Sequence, residues 1–180
     1  MKQLFLFVLS FCLLPAVSNA QPKKLDVVPS VDLSRYAGKW YEIARLPNRF
    51  QDHCTGEVSA TYTIQKDGRI RVLNACRIKD GTMDSAEGIA RLATEGGPNS
   101  KLKVRFAPGF LSFLPFVWGD YWILQLAPDY SHTVVGDPGR KYLWILAREP
   151  KIEESVYKQL VAKAGADGFD VSRLLRTKQQ

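Results

Sequence analysis

The sequence predicts an all-β fold: an eight-stranded, up-and-down antiparallel barrel with one C-terminal α-helix packed outside it. Apolar and polar residues alternate with a period of two through most of the chain from Gly38 to Arg148, as in strands that bury one face. Short turn sequences separate these segments, and short turns join antiparallel neighbours. The period becomes helical only after Arg148. This order favours a closed barrel over a sheet in which strands alternate with helices.

The first twenty residues are predicted to be a secretory signal peptide. Lys2 gives a positive start, Leu4 to Leu14 is apolar apart from one serine, and Ser18-Asn19-Ala20 is a small-x-small cleavage site. The apolar run is too short to span a bilayer permanently. Cys12 lies early in this run and follows a phenylalanine, so we do not expect a lipid anchor. We expect an exported protein, periplasmic or secreted, and association with the outer membrane is left open.

Cleavage after Ala20 leaves 180 − 20 = 160 residues, enough for one domain with its own core. Residues 21–30 are polar and contain two prolines, so we expect a flexible arm there and the folded domain in 31–180. The formal net charge of the whole chain is +7, yet no run of Lys and Arg exceeds two residues. A solvated basic face explains this charge. We therefore expect no nucleic-acid partner.

The first predicted strand opens at Gly38-Lys39-Trp40-Tyr41, after the turn-forming stretch 31–37. A glycine bend followed by a tryptophan suits the floor of a small barrel, because the indole can plug the end. Later segments are rich in β-branched and aromatic residues and are separated by turns that contain Asp-Gly or proline. The other seven predicted strands are 58–64, 69–74, 87–92, 101–106, 120–126, 131–135 and 141–148.

The predicted helix follows the last strand. Pro150 suits a first helical turn, and Glu153 and Glu154 lie near the positive end of the helix dipole. Gly165 can end the helix. Apolar residues recur at helical spacing, which predicts one face packed against the barrel, at Ile152, Val156, Leu160 and Ala164.

Little in the sequence points to catalysis. His53 and His132 lack metal-ligand spacing, and there is no Gly-x-Ser-x-Gly elbow, phosphate loop or Cys-x-x-Cys motif. We therefore expect no enzyme activity, no cofactor and no metal. Glu42 and Glu87 are the only acids that suit a buried position, and a charge-satisfied barrel wall explains them equally well. A lipid-modifying enzyme on the same barrel stays open as an alternative.

Two cysteines remain once the leader is removed. Cys54 and Cys76 form an even pair in an exported chain, which predicts a disulfide, and a free buried pair is the alternative. Simple hairpin register around Asp67-Gly68 would place Cys76 opposite Ser59. A bulge, or a position for Cys54 in the incoming loop, is therefore needed to bring the two together. The bridge is expected to stabilise the fold, without redox chemistry.

Three sequence blocks stand in a characteristic order. They are Gly38-x-Trp40-Tyr41 in the first strand, Ala127-Pro128-Asp129-Tyr130 between the sixth and seventh, and Trp144-Ile145-Leu146-Ala147-Arg148 in the eighth. Their order and spacing resemble those of the lipocalins across nearly all of the mature chain, and within that family bacterial lipocalins and apolipoprotein D are most similar. The second block departs from the usual Thr-Asp-Tyr by having Pro128 before the Asp-Tyr pair.

The resemblance implies roles for several residues. Arg148 would lie across Trp40 and help to close the barrel floor, a cation–π contact of about 0.5–2 kcal/mol. Cup-lining positions match Tyr62, Asn74, Trp122 and Trp144. Strand alternation then adds neighbours on the same face. The expected ligand-binding set is Tyr62, Val72, Asn74, Val104, Phe106, Trp122, Leu124 and Trp144.

Such a cup would take an acyl chain or another small hydrophobic molecule with one polar end. The resemblance implies binding and transport or storage of a fatty acid, lysophospholipid or similar lipid, in the service of the cell envelope. The alternative is a barrel filled by its own side chains.

The stretch between the fifth and sixth strands is the second unusual feature. It carries no charge from Phe106 to Gly119, although loops are normally polar. We expect this mouth loop, 107–119, to contact a membrane surface or a second copy of the chain in a homodimer. A lid folded back over the cavity is the alternative. The residues expected to make the contact are Phe110, Leu111, Phe113, Leu114, Phe116 and Trp118.

Overall fold

The computed structural model describes residues 24–180, so the predicted signal peptide lies outside the described part of the chain. Residues 24–180 contain nine strands: β1 Gly38–Arg45, β2 Cys54–Ile64, β3 Ile70–Ile78, β4 Met83–Leu92, β5 Lys101–Arg105, β6 Gly119–Leu126, β7 His132–Gly136, β8 Leu143–Ala147 and β9 Leu175–Arg176. The same residues form two α-helices, α1 Leu33–Tyr36 and α2 Glu154–Ala166, and three 3₁₀ turns, Gly109–Leu111, Pro115–Val117 and Val171–Arg173. No helix in this described part is both long and apolar enough to cross a bilayer.

The first eight strands form a closed antiparallel barrel. Each strand pairs with the next one in sequence, and β1 pairs with both β2 and β8, which closes the ring. The predicted fold class is confirmed, including the single long helix outside the barrel. Two short elements were not predicted. They are α1, within the stretch expected to be a turn, and β9, which pairs with β1.

Strand register sorts the buried side chains into two groups. Trp40 pairs with Ala60, and Tyr62 pairs with Val72, so these four share the inner face. Ile145 faces the other way and packs with α2. The inner cluster is Val31, Tyr36, Trp40, Ala60, Tyr62, Ile70, Val72, Ala90, Leu102, Ile123, Val135 and Leu146. The outer cluster, between barrel and helix, is Leu25, Ile43, Ala44, Leu46, Leu124, Val134, Leu143, Ile145, Ala147, Leu160, Ala164 and Phe169.

The described part of the predicted N-terminal arm lies against the barrel. Residues 24–30 form no helix or strand, but Leu25 is buried in the outer cluster. The backbone N–H of Val28 donates a hydrogen bond of 3.0 Å to the carbonyl oxygen of Ile123 in β6. These contacts hold residues 25–28 along the barrel wall.

The disulfide between Cys54 and Cys76 is present, with Cα atoms 5.7 Å apart. Ser59 pairs with Ala75, one residue away from the partner expected from simple register. Register shifts between Cys54 and Gly56 and between Gly56 and Ser59 supply the bulges that the bridge needs. The bridge therefore joins the start of β2 to the end of β3.

The two ends of the barrel differ. In an up-and-down barrel successive connections alternate between the ends. Trp40, near the start of β1, lies at the closed end together with α1. The connections after β1, β3, β5 and β7 lie at the opposite, open end, so the mouth loop and residues 46–53 both belong to it.

Candidate functional site

Arg148 and Trp40 close one end of the barrel. The Arg148 guanidinium carbon lies 3.9 Å from the centre of the Trp40 ring. Its nitrogens donate hydrogen bonds to the carbonyl oxygens of Lys39 (2.9 Å), Arg35 (2.6 Å) and Tyr36 (3.1 Å). The Trp40 indole N–H donates to the carbonyl of Tyr36 as well, at 2.8 Å. This arrangement, with Trp40 fully buried, seals the floor and offers no ligand surface.

Three tyrosines form a polar layer near the closed end. The hydroxyl of Tyr121 lies 2.8 Å from the hydroxyl of Tyr36 and 2.8 Å from that of Tyr62. Burial raises the pKa of Tyr36 to about 12, and burial likewise raises the pKa values of Tyr62 and Tyr121. All three phenols therefore stay neutral at ordinary pH and satisfy one another.

Beyond this layer, toward the open end, the inward side chains are less completely buried. The inner face carries four side chains that are only partly buried, although their strand register points them into the barrel. These residues are Asn74, Val104, Tyr121 and Trp144. We call this inward-facing surface of the upper barrel the cup. It presents aromatic, aliphatic and amide groups.

The predicted ligand set divides between this cup and other places. Tyr62 and Val72 are buried in the inner cluster, at the base of the cup. Asn74, Val104 and Trp144 line its wall. Phe106 lies at the mouth, where its ring packs so closely on Gly88 that an added Cβ would be 2.7 Å from it.

Trp122 and Leu124 require a correction, because both pack with the outer cluster. Their neighbours Tyr121 and Ile123 occupy the inner face instead. The Trp122 ring is covered by the Lys101 ammonium, 4.1 Å from its centre, on the outside of the barrel. Residues 121–124 are apolar on both faces of β6, so alternation alone does not say which face points inward.

A buried polar cluster at the open end was only partly anticipated. Glu42 is 2% exposed. Its carboxylate accepts a 2.6 Å hydrogen bond from the side-chain amide of Gln51 and another from the hydroxyl of Thr177. The Trp144 indole N–H donates to the Gln51 amide oxygen at 2.9 Å. Residues 46–53 and the C-terminus thus meet at the cup wall.

Burial raises the pKa of Glu42, although its two hydrogen bonds and the nearby Arg45, 3.5 Å away, oppose the shift. Glu87, the other acid considered for a buried position, is exposed and forms a 2.6 Å ion pair with Arg71. The sequence singled out Glu42, but no local pattern marked Gln51 or the distant Thr177 as its partners.

The mouth loop presents three phenylalanines to solvent. Phe110, Phe113 and Phe116 are 76%, 77% and 79% exposed. They therefore do not fold back over the cup as a lid. Leu111 and Leu114 are partly buried between them, within and between the two 3₁₀ turns of the loop.

Trp118 holds the loop in this shape. Its indole N–H donates a 2.8 Å hydrogen bond to the carbonyl of Ser112. The guanidinium carbons of Arg91 and Arg105 lie 4.3 Å and 5.2 Å from the centre of its ring. Three further exposed apolar side chains lie at the same end of the barrel: Phe50, Met83 and Phe106. The open end therefore has an apolar rim.

His53 lies beside the disulfide at this rim. Its Nε2 atom is 3.8 Å and 4.0 Å from the sulfurs of Cys54 and Cys76, and 3.1 Å from a carboxylate oxygen of Asp84. Because both sulfurs are bonded to each other, they are not available as thiolate ligands. The cluster does not have the donor set of a zinc site in this state.

Comparisons with known proteins agree with this geometry. Residues 31–179 match the family model described as a lipocalin-like domain. The chain is 46% identical over 160 residues to Temperature-induced lipocalin-1 of Arabidopsis thaliana, covering 88% of this chain and 85% of that protein. It is 37% identical over 172 residues to the outer membrane lipoprotein Blc of Escherichia coli K12, with 94% and 92% covered.

More distant relatives share the fold. Mouse apolipoprotein D is 30% identical over 162 residues, covering 85% of this chain and 79% of that protein. The structure of insecticyanin from the tobacco hornworm Manduca sexta superimposes with a TM-score of 0.66 at 22% identity, covering 86% and 85% of the two chains. At that identity the likeness shows the fold alone.

Proposed function

The chain belongs to the lipocalin family, and from this premise we propose that it carries a fatty acid, lysophospholipid or similar lipid in its cup. Lipocalins generally bind and transport small hydrophobic ligands. One observation carries the proposal: Asn74, Val104 and Trp144 face inward by strand register, yet are only partly buried. A barrel filled by its own side chains would bury them.

The chemistry of the wall supports a ligand with an apolar chain and one polar end. Each buried CH₂ group contributes about 0.8 kcal/mol, so a chain of modest length suffices for useful affinity. At the base, the three tyrosine hydroxyls already bond to one another. Two residues beyond Val72 toward the open end of β3, the Asn74 amide offers a donor and an acceptor. We therefore propose that the chain points down and the polar end points toward the mouth.

Native mass spectrometry tests this proposal. Delipidated protein is mixed with a fatty acid, a lysophospholipid and a sterol, and we expect one-to-one adducts, strongest with the single-chain lipids. Trp144→Phe and Asn74→Leu should weaken the adduct, while Trp122→Phe is the matched control because that indole faces outward. Absence of any adduct from a folded protein, or equal weakening in the control, would contradict a carrier cup.

We further propose that the apolar rim rests on a membrane surface, so that lipid exchanges at the mouth. The three exposed phenylalanines of the mouth loop support this, since full burial of each in lipid contributes up to about 1.5–3 kcal/mol. The loop carries no charge, and neighbouring mouth loops carry both signs, as in Arg49 with Asp52 and Lys79 with Asp80. Binding should therefore be driven by apolar contact and depend weakly on salt.

Co-sedimentation with phosphatidylcholine vesicles tests the rim. Replacing Phe110, Phe113 and Phe116 with serine should abolish binding, and adding salt should change it little. Ile64→Ser with Leu92→Ser is the control, because these exposed side chains lie at the closed end. The mass of the protein in solution is measured at several concentrations as well. If the triple variant still binds vesicles but no longer forms a dimer that the unmodified protein forms at high concentration, the loop is a homodimer interface instead.

We infer that the protein is exported. The leader pattern of residues 1–20 supports this, and the name of one relative, outer membrane lipoprotein Blc, places that relative at the envelope. The sequence around Cys12 argues for release rather than lipid anchoring. Cell fractionation, with mass spectrometry of the mature N-terminus, tests the prediction that the chain begins at Gln21; a lipid-modified N-terminus would contradict it.

A further inference from the structure

The barrel wall is irregular between β1 and β2. These strands pair only from Gly38 with Tyr62 to Tyr41 with Ser59. Beyond that point β2 has two register shifts, and Glu57 takes a left-handed conformation with φ of 50°. Such bulges bend a strand and end its pairing. The two strands therefore leave a seam between them toward the open end.

Residues 175–180 fill this seam, and we call them the strap. In β9, Leu175 and Arg176 pair with the end of β1. The carbonyl oxygen of Lys178 accepts a 2.7 Å hydrogen bond from the backbone N–H of Glu57 in β2. The strap thus lies between β1 and β2 and bonds to the parts of these strands that do not pair with each other.

Gln179 ties the two edges together. Its side-chain amide nitrogen donates to the carbonyl oxygen of Glu42 in β1 and to that of Val58 in β2, at 2.8 Å each. Thr177 adds a hydroxyl bond to the Glu42 carboxylate and a backbone bond of 3.0 Å to the carbonyl of Ile43. One side chain therefore bridges both walls of the seam.

The strap is held by polar contacts. None of its six residues is buried, and its one large apolar side chain, Leu175, is exposed. A typical hydrogen bond contributes only about 0.5–1.5 kcal/mol net. Segments with few buried apolar contacts open locally at a cost below that of global unfolding. The strap has these properties, whereas the paired part of β1 and β2 does not.

A groove of about 680 Å³ runs along the outside of the seam. The groove is lined by Ile43 of β1, residues 55–57 of β2, residues 150–152 and residues 176–180 of the strap. On the inner side of the same seam lies Glu42, at the wall of the cup. Displacing the strap would therefore join the groove to the interior.

We infer that this groove and seam form a lateral entrance for a single acyl chain, with the strap as its door. The inference rests on the proposed function of the cup. Removing one strand opens a gap of about one strand spacing, roughly 4.8 Å. An extended hydrocarbon chain has a similar width, whereas a sterol ring system or a two-chain lipid is wider. Single-chain amphiphiles would thus have the side route in addition to the mouth, whereas bulky ligands would use the mouth alone.

Stopped-flow fluorescence with a dansyl-labelled fatty acid tests the entrance. Gln179→Ala removes both bridging bonds. Gln180→Ala, beside it, is the control because the Gln180 side chain makes no hydrogen bond within residues 24–180. We expect Gln179→Ala to speed uptake and release of the fatty acid by a similar several-fold factor, with Kd unchanged, because a door alters rates and not the end states. Rates for a fluorescent sterol should not change.

Hydrogen exchange gives a second readout that does not need a ligand. The amides of Glu57 and Thr177 should exchange faster than those of the paired β1–β2 residues, and faster still in Gln179→Ala. Faster exchange with unchanged fatty-acid rates would overturn the entrance while leaving the carrier function intact. A weaker Kd with unchanged uptake would also overturn it. Failure of the unmodified protein to bind the fatty acid would contradict the proposed function itself, and the entrance with it.

Discussion

Arg148 covers the face of Trp40 from the far end of the chain, with its guanidinium carbon 3.9 Å from the ring centre. The same guanidinium donates to three backbone carbonyls of residues 35–39. β8 is thereby tied to the turn that leads into β1. The contact therefore joins the last barrel strand to the first and also closes the floor of the barrel.

Loss of the indole should be costly. Trp40→Ala should lower the free energy of unfolding by about 3–5 kcal/mol, because it leaves a cavity in the buried floor. Urea denaturation measures the change. Trp118→Ala is the control: this indole lies in the mouth loop outside the barrel, so its loss should cost much less. Equal costs for the two variants would contradict the closure role of Trp40.

The polar layer of tyrosines predicts alkaline behaviour. Burial raises the pKa of Tyr36 to about 12 and also raises those of Tyr62 and Tyr121. The folded protein therefore keeps these protons at a pH where the unfolded chain, with pKa near 10, has lost them. Stability should fall as pH rises from about 10 toward 12. Ultraviolet titration should show three of the seven tyrosines ionising only with unfolding; smooth titration of all seven would contradict the layer.

The barrel could be predicted from the sequence because its signals are local. They are the alternation of apolar and polar residues along each strand, the short turns, and the three blocks shared with the family. The family resemblance predicts Trp122 on the inner face, and Leu124 follows from it by alternation. The pattern of residues could not correct this, because residues 121–124 are all apolar and both faces of β6 pack against a buried cluster. Side-chain alternation carries no information where both faces are buried.

The seam and the Glu42 cluster depend on contacts that no local pattern reveals. Glu42 and Thr177 are 135 residues apart, and Gln179 acts through one side-chain amide. The strap is mostly polar, and its strand is only two residues long. Propensity and periodicity therefore give no signal for it. They do predict the helix before it, but α2 begins at Glu154 and runs through Gly165 to Ala166, so Pro150 precedes the helix and Gly165 does not end it.

The disulfide should stabilise the rim of the barrel. Cys54 and Cys76 are 22 residues apart in sequence, and a loop of this size corresponds to about 3 kcal/mol by restriction of the unfolded chain. Urea unfolding of the Cys54→Ala, Cys76→Ala double variant should show a loss of this order. Adding a reductant should destabilise the unmodified protein but not the variant. If the variant unfolds at the same urea concentration as the unmodified protein, the disulfide does not stabilise the bulged part of β2.

Glu42 should make stability depend on pH with the opposite sign from a surface acid. Burial raises its pKa above the ordinary 4.5, so the folded state holds the proton more tightly than the unfolded state does. Its stabilising contribution is full below about pH 4.5 and is lost as pH rises through the folded pKa. Glu87 behaves oppositely: its ion pair with Arg71 lowers its pKa, so its contribution is present above the unfolded pKa and lost on acidification.

Urea unfolding of Glu42→Gln and Glu87→Gln across acid to neutral pH separates the two. The first variant should lose the decline in stability toward neutral pH, and the second should lose part of the decline toward acid. Slopes with pH are the proper comparison, since a glutamine at position 42 also changes the bonds to Gln51 and Thr177. A Glu42→Gln slope equal to that of the unmodified protein would mean that this carboxyl titrates as if it were in water, and the buried cluster at the seam would not exist in solution.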